Sequence, residues 1–189
     1  SRTYTITIYD DLKLSDGTPV TSKNYVVFPM VFSSAVGAQA AGKNHNASLQ
    51  TVGFEGFSNY DGTNAGQTTE GGETITKELT GLRLIDDYTF SVTIDAEYLP
   101  FFYAINYGTF YADDVALWIG DCDINDDGNG VYFTDDFYAK NGDSYVMAEH
   151  IKDSAWNVDQ TYAYSGPYVV DSYDEADKSV VLKINPEFK

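Results

Sequence analysis

The chain has 189 residues with 11 Lys and Arg against 29 Asp and Glu, a formal net charge of −18, and 43% of its residues are apolar. This length fits one domain or one lobe of a larger protein, and the abundant aromatic and aliphatic residues favour a packed core over disorder. The acidic balance excludes nucleic acid as a partner and disfavours anionic lipid, since both require Lys and Arg. With a single cysteine, Cys122, the chain has no internal disulfide framework.

The first elements are a strand and a helix. Residues 3–8 alternate Thr with Tyr or Ile, the period of a half-buried strand. Residues 16–19 read D-G-T-P, which predicts a turn, and Thr21 then suits the N-cap of an apolar helix running toward Val36. We expect Pro29 to kink or interrupt that helix, because proline lacks the N–H that the helix needs.

The middle of the chain contains two segments of different composition. Residues 38–76 are rich in Gly, Asn, Ser and Thr, which predicts a long loop region with short elements. Residues 82–95 alternate apolar and polar side chains around Asp86 and Asp87, the pattern of a β-hairpin.

Short helices and a closing strand pair are predicted in the second half. The aromatic stretch after Pro100 predicts a buried helix from Phe101, and residues 143–152 predict another, with an acidic loop at 120–130 between them. Residues 168–170 and 180–184 predict two strands. Together the elements predict an α+β fold with a mostly antiparallel sheet and short flanking helices. The longest apolar stretch is far shorter than the roughly 20 residues of a bilayer span, so we do not expect this chain to cross a membrane.

Three blocks match, in order and spacing, the pattern of one protein family. The first reads Y-T-I-T-I at 4–8 and L-K-L-S-D-G-T-P-V-T-S-K-N-Y at 12–25. The second reads G-L-R-L-I-D-D-Y-T-F-S-V-T-I at 81–94 and P-F-F-Y at 100–103, and the third reads S-G-P-Y at 165–168 and V-V-L-K-I-N-P-E-F at 180–188. Through these blocks the chain resembles the extracellular solute-binding proteins of ABC importers, in the group that binds oligopeptides, dipeptides and nickel.

The resemblance implies an architecture and a role. Members are two-lobed, of the type II periplasmic-binding-protein architecture, and residues 1–189 resemble a single small subdomain of the first lobe, with residues 160–189 as strands returning toward the main lobe. The implied function is peptide binding outside the membrane and delivery to ABC permease subunits, with no catalysis and no required cofactor. It also implies an extracytoplasmic location, in the periplasm or as a lipid-anchored lipoprotein at the cell surface.

The chain departs from the family pattern at three places. Asn24 stands where the family has Asp, Ile184 stands where it has Arg, and residues 188–189 read F-K in place of Y-W. We expect these changes to weaken a local polar contact or a terminal anchor without altering the overall fold.

Candidate ligand-binding residues are few. Loop aromatics such as Phe54, Phe57 and Tyr60 could face a binding cleft, although aromatic residues are more often core. The resemblance itself maps no residue of this chain onto a ligand.

The acidic loop has a second interpretation outside the family pattern. Asp123, Asn125 and Asp127 place oxygen ligands at alternate positions before Gly128, as a calcium loop requires. The twelfth position is Thr134, where an acid should chelate, so a solvated acidic loop competes with calcium binding. A calcium-stabilised secreted interaction or adhesion module is therefore the alternative function.

The third hypothesis is that the chain is an enzyme. His45 and His150 stand outside any nucleophile or zinc motif. A glycoside hydrolase needs only two carboxylates about 5 to 9 Å apart, which the sequence alone does not exclude.

Overall fold

The computed structural model describes residues 1–34, 53–62, 64–99, 106, 110–141 and 163–189. The described strands are β1 (Arg2–Thr7), β2 (Leu82–Asp86), β3 (Thr89–Ile94), β4 (Ile124–Asp126), β5 (Val131–Phe133), β6 (Tyr168–Asp174) and β7 (Ser179–Ile184). The described helices are α1 (Ser22–Ser33), α2 (Val115–Ile119) and α3 (Asp135–Asn141), with 3-10 turns at Phe57–Asn59 and Ala96–Tyr98. This mixture of antiparallel strands and short helices confirms the predicted α+β class.

A three-stranded antiparallel sheet has the order β1-β3-β2. β1 pairs with β3 from Arg2 opposite Ile94 to Thr7 opposite Thr89, so the start of the chain joins the predicted hairpin of β2 and β3. In β1, Tyr4 and Ile6 are half-buried, whereas the Thr side chains between them and beside them are exposed. The period-2 pattern therefore predicted both the strand and its inner face.

Helix α1 covers this sheet with a wholly buried apolar stripe. Val26, Val27, Met30 and Val31 are inaccessible to solvent. The helix begins after Thr21, as the turn chemistry predicted, and it runs through Pro29 to Ser33. Of the predicted kink or interruption at Pro29, the interruption was therefore wrong, and the kink stays a prediction. Pro29 is itself buried, so its apolar contacts offset the backbone hydrogen bond that a proline removes.

The predicted acidic loop at 120–130 is partly a strand. β4 and β5 form an antiparallel hairpin, with Asp126 opposite Val131 at its turn end. Leu79 pairs with Val131, which holds this small hairpin beside the sheet. Ile124, Val131 and Phe133 are fully buried beneath it.

The core joins these elements into one cluster of buried side chains, packed from α1, the three-stranded sheet, α2, α3 and the β4–β5 hairpin. Neither α2 nor α3 was predicted. Of the predicted loop region, residues 53–62 and 64–76 contain short turns and isolated bridges, as expected. The helices predicted from Phe101 and over 143–152 lie outside the described residues.

The last strands form a separate two-stranded sheet, which we call the terminal hairpin (β6 and β7). The predicted strand pair is confirmed, with Tyr168 opposite Ile184 at its base. Every residue of β7 is exposed. The following Asn185 fixes the base through a side-chain hydrogen bond to the Gly166 carbonyl at 2.8 Å. None of the described helices is long and apolar enough to cross a bilayer.

Candidate functional site

The aromatic candidates Phe54, Phe57 and Tyr60 lie in the core. Phe54 and Tyr60 are 1% exposed and Phe57 is 6% exposed. Phe54 forms a bridge with Ile94 at the sheet, and burial raises the pKa of Tyr60 well above its usual value. All three contribute packing, and contact with a ligand would require the core to open. Their proposed role at a cleft receives no support from this position.

The calcium candidates lie in and on either side of a short strand. Asp123 precedes β4, Asn125 lies within it and Asp127 follows it. Asn125 therefore has extended backbone, in which alternate residues lie about 6 to 7 Å apart along the strand axis, unlike the wrapped backbone of a calcium loop. The Asp123 carboxylate instead contacts the Lys23 ammonium at 2.7 Å. Within the described ranges, no group of three or more His, Cys, Asp and Glu side chains is placed to hold a metal ion.

Asp126, which the sequence did not single out, is the structural carboxylate of this hairpin. Its side chain is 7% exposed and accepts a hydrogen bond from the Arg83 guanidinium at 2.7 Å. The same carboxylate accepts the backbone N–H groups of Leu84 at 2.9 Å and Gly128 at 2.7 Å. The hydrogen bond to Asp126 raises the pKa of Arg83. Asp126 therefore joins β2 to the turn of the β4–β5 hairpin.

A polar junction connects α1 to α2. The Asn24 side chain accepts the Thr21 N–H at 2.8 Å, which completes one arm of a capping box, and donates to the Asp113 carbonyl at 2.8 Å. An aspartate could make the first contact but lacks the N–H for the second. The expectation that Asn24 weakens a polar contact of the family stays a prediction, and in this chain Asn24 makes both of these hydrogen bonds.

The same junction contains a perturbed carboxyl group. Burial, followed by repulsion from Asp114, raises the pKa of Asp113 to about 6. Asp114 caps α2 by accepting the Ala116 N–H at 2.9 Å and also accepts the Ala163 N–H at 3.0 Å. One carboxyl group is thus fixed by backbone donors, while its neighbour is driven toward the neutral form.

A cavity of about 210 Å³ lies between the chain's early turn and its last residues. Its lining is mostly apolar and includes Leu12, Val20, Tyr25, Tyr111 and Phe188. At its rim the Lys189 ammonium contacts Asp11 at 2.5 Å and Lys13 contacts Glu187 at 3.6 Å, so the nearby cations are paired.

The cavity is too small to enclose a peptide, since ligand pockets usually measure about 300 to 1,000 Å³. The sequence did not predict this grouping, because the lining comes from segments far apart along the chain. No local pattern could have signalled it.

Comparison with known protein families gives one match along the whole chain. The model of the bacterial extracellular solute-binding proteins, family 5 Middle, matches residues 1–189. No curated protein matches the chain.

Solved structures give a similar result at low identity. The chain is similar to Haemophilus influenzae OppA in complex with RPPGFSPFR, with 20% identity, a TM-score of 0.51 and coverage of 99% of this chain and 28% of that one. It is also similar to Burkholderia pseudomallei OppA, with 16% identity, a TM-score of 0.48 and coverage of 98% and 27%. The chain therefore spans little more than a quarter of the length of these relatives, and the first of them shares its fold.

Proposed function

The chain belongs to family 5 of the bacterial extracellular solute-binding proteins, and we propose from this membership that it is one subdomain of a peptide-binding protein of an ABC importer. The observation that carries the proposal is the family match, which extends over all 189 residues. Binding is the proposed activity, and no catalytic step is required of the chain.

The peptide ligand is proposed from the relatives. The Haemophilus influenzae protein was solved with the peptide RPPGFSPFR, and a Listeria monocytogenes OppA was solved bound to peptide. The 210 Å³ cavity of this chain is below the size of a peptide site. We therefore assign the ligand cleft to a longer two-lobed protein, in which residues 1–189 form a subdomain of the first lobe.

Delivery completes the proposed role. The loaded protein would dock on ABC permease subunits outside the membrane, held in the periplasm or by a lipid anchor at the cell surface. The net charge of −18 favours cationic over anionic peptides through long-range attraction. We therefore expect cationic peptides to bind more tightly than anionic peptides of the same length.

Native mass spectrometry of the complete gene product, purified under mild conditions, tests the proposal. A series of co-purifying peptide masses, removed by unfolding and restored by refolding with added peptide, is the expected result. A matched pair of synthetic peptides, identical except for Lys or Glu at alternate positions, measures the charge preference by calorimetry. A single non-peptide mass, with no peptide bound on refolding, would overturn peptide binding.

The two other functions make different predictions. A calcium-stabilised interaction module requires calcium to raise the melting temperature more than equimolar magnesium does. Because Asp123 is paired with Lys23 and Asn125 lies in the extended backbone of β4, we expect the two cations to act alike. A glycoside hydrolase requires turnover of a carbohydrate substrate, and none is expected.

A further inference from the structure

The cavity between the early turn and the last residues has an inner wall of aromatic side chains that the core holds in place. Tyr25 and Phe110 both line the cavity. The Tyr25 ring stacks on the Phe90 ring with centroids 5.6 Å apart, and the Phe110 ring meets the same Phe90 ring edge-on at 5.2 Å. Because Phe90 is fully buried in the close-packed core, these contacts fix both lining rings. The inner wall is therefore preformed.

The outer wall of the cavity is made of aromatic side chains at the surface. Tyr111 is 77% exposed and Phe188 is 49% exposed, and both line the cavity. Exposed apolar groups that border a cavity are typical of a ligand-binding site. The backbone of the early turn is fixed beside them, since the Val20 N–H donates to the Leu12 carbonyl at 2.9 Å. A ligand in the cavity would thus lie between fixed inner rings and accessible outer rings.

Both lysines at the rim are already paired. The Lys189 ammonium contacts Asp11 at 2.5 Å, and the Lys13 ammonium contacts Glu187 at 3.6 Å. An ionised ligand would have to compete for a partner in one of these pairs or lose its hydration without a partner, and both cost free energy. The cavity therefore favours an uncharged ligand.

The volume of the cavity limits the size of the ligand. At about 210 Å³ it exceeds the roughly 150 Å³ of an apolar protein cavity that binds benzene, and it is smaller than the usual pocket for a drug-sized ligand. We infer that this cavity is a second binding site, separate from the peptide cleft, for one small uncharged aromatic compound. Ring contacts with Tyr25, Phe110 and Phe188 supply the attraction. Ser165, which also lines the cavity, carries a hydroxyl group suited to one polar substituent.

Binding of p-cresol to the complete gene product tests this inference, with saturation-transfer difference NMR as the measurement. Its phenol resembles that of tyrosine and is uncharged at about pH 7. The compounds 4-hydroxybenzoate and tyramine carry the same ring with a negative and a positive charge, which separates the effect of ionisation from that of the net charge of −18. We expect saturable binding of p-cresol and at least about tenfold weaker binding of both ions. Equal affinities for all three would overturn the assignment to an uncharged ligand, and no binding of p-cresol would overturn the site.

Substitutions that fill the cavity locate the site. Ser165→Phe and Ala112→Leu enlarge side chains that line the cavity, and Ser179→Phe and Ala176→Leu make the same exchanges at exposed positions of the terminal hairpin. We expect the two filling variants to lower the affinity for p-cresol at least about tenfold and the two controls to leave it unchanged. Ser165 is only half-buried, so its variant decides the question if the buried Ala112→Leu variant does not fold. Unchanged affinity in the folded filling variants would overturn the inference.

Peptide binding is measured on the same samples with a tryptic digest of casein as the peptide mixture. The site does not depend on the proposed function, so we expect peptides and p-cresol to bind together. Displacement of p-cresol by peptides would show that the cavity belongs to the peptide cleft and would overturn a second site. Binding of p-cresol without any binding of peptide would contradict the proposed function alone.

Discussion

The β4–β5 hairpin and the terminal hairpin are both two-stranded, yet they are stabilised differently. The first places Ile124, Val131 and Phe133 in the common core and is joined to β2 through Asp126. The second leaves all of β7 exposed, while Val169 and Val170 of β6 are buried and Asn185 fixes its base. The difference teaches that packing from other elements of the chain, and not the hairpin connection itself, decides how much of a two-stranded sheet is buried.

The largest expected loss of stability comes from a substitution in the common core. Phe90 is fully buried on β3, with its ring centroid 5.6 Å from that of Tyr25 and 5.2 Å from that of Phe110. We expect Phe90→Ala to lower the free energy of unfolding of this 189-residue chain by about 3–5 kcal/mol, because it leaves a cavity. Tyr168→Ala on the terminal hairpin should cost less than about 1 kcal/mol. Urea denaturation measures both, and comparable losses would contradict the distinction.

Removing the hydrogen bonds that Asp126 accepts should weaken the attachment of the β4–β5 hairpin to β2. Asp126→Ala leaves Arg83 and two backbone N–H groups without their acceptor, so we expect a loss of about 2–4 kcal/mol. Asp127→Ala, at an exposed carboxylate one residue later, should change stability little. Hydrogen exchange should locate the loosened amides in β4 and β5. Unchanged protection there would show that core packing alone holds the hairpin.

Adding a methyl group at a glycine should also have different effects on stability in the core and near the terminal hairpin. A Cβ at Gly81 would lie 2.7 Å from the backbone nitrogen and oxygen of Glu55, whereas at Gly166, near the terminal hairpin, it would have no neighbour within 4 Å. We expect Gly81→Ala to cost about 1–3 kcal/mol. Gly166→Ala should be close to neutral. Melting temperatures of the two variants provide the measurement, and equal shifts would show that the backbone beside Gly81 adjusts freely.

The smallest expected effect is pH-dependent and lies in the polar junction of the core. The pKa of Asp113 is about 6 in the folded chain and the usual value is 3.8, so the folded state binds the proton more tightly. The resulting stabilisation is fully present below about pH 4 and is lost as pH rises through about 6. Asp113 is only half-buried, so solvent screening limits this loss to about 1–2 kcal/mol.

Asp113→Asn should abolish that part of the pH dependence. Asp87→Asn, at an exposed carboxylate, controls for the change in net charge. Urea denaturation at several pH values between 4 and 7 gives the comparison. If both variants retain the wild-type slope, another group carries the pH dependence.

The elements that could be predicted from the sequence are those with a local pattern, such as alternation of apolar and polar residues or a helix-capping residue. The alternation in β1 and in β2–β3 indicated strands, and Thr21 marked the start of α1 because capping chemistry is local. β4 escaped detection because Asn125 and Asp126 have low strand propensity, and its stability comes from distant partners on β2. The same limitation applies to Phe54 and Tyr60, since no local signal distinguishes an aromatic residue in a core from one at a cleft.

The pairing of β1 with β3 has a consequence for the order of folding. Thr3 and Thr93 meet through their hydroxyl groups at 2.9 Å, although 90 positions separate them in the chain. β2 and β3 are joined by a tight turn, so that contact forms early, while β1 requires closure of a loop many times longer. During synthesis β1 leaves the ribosome first, and we expect it to be the last of the three strands to find its partner.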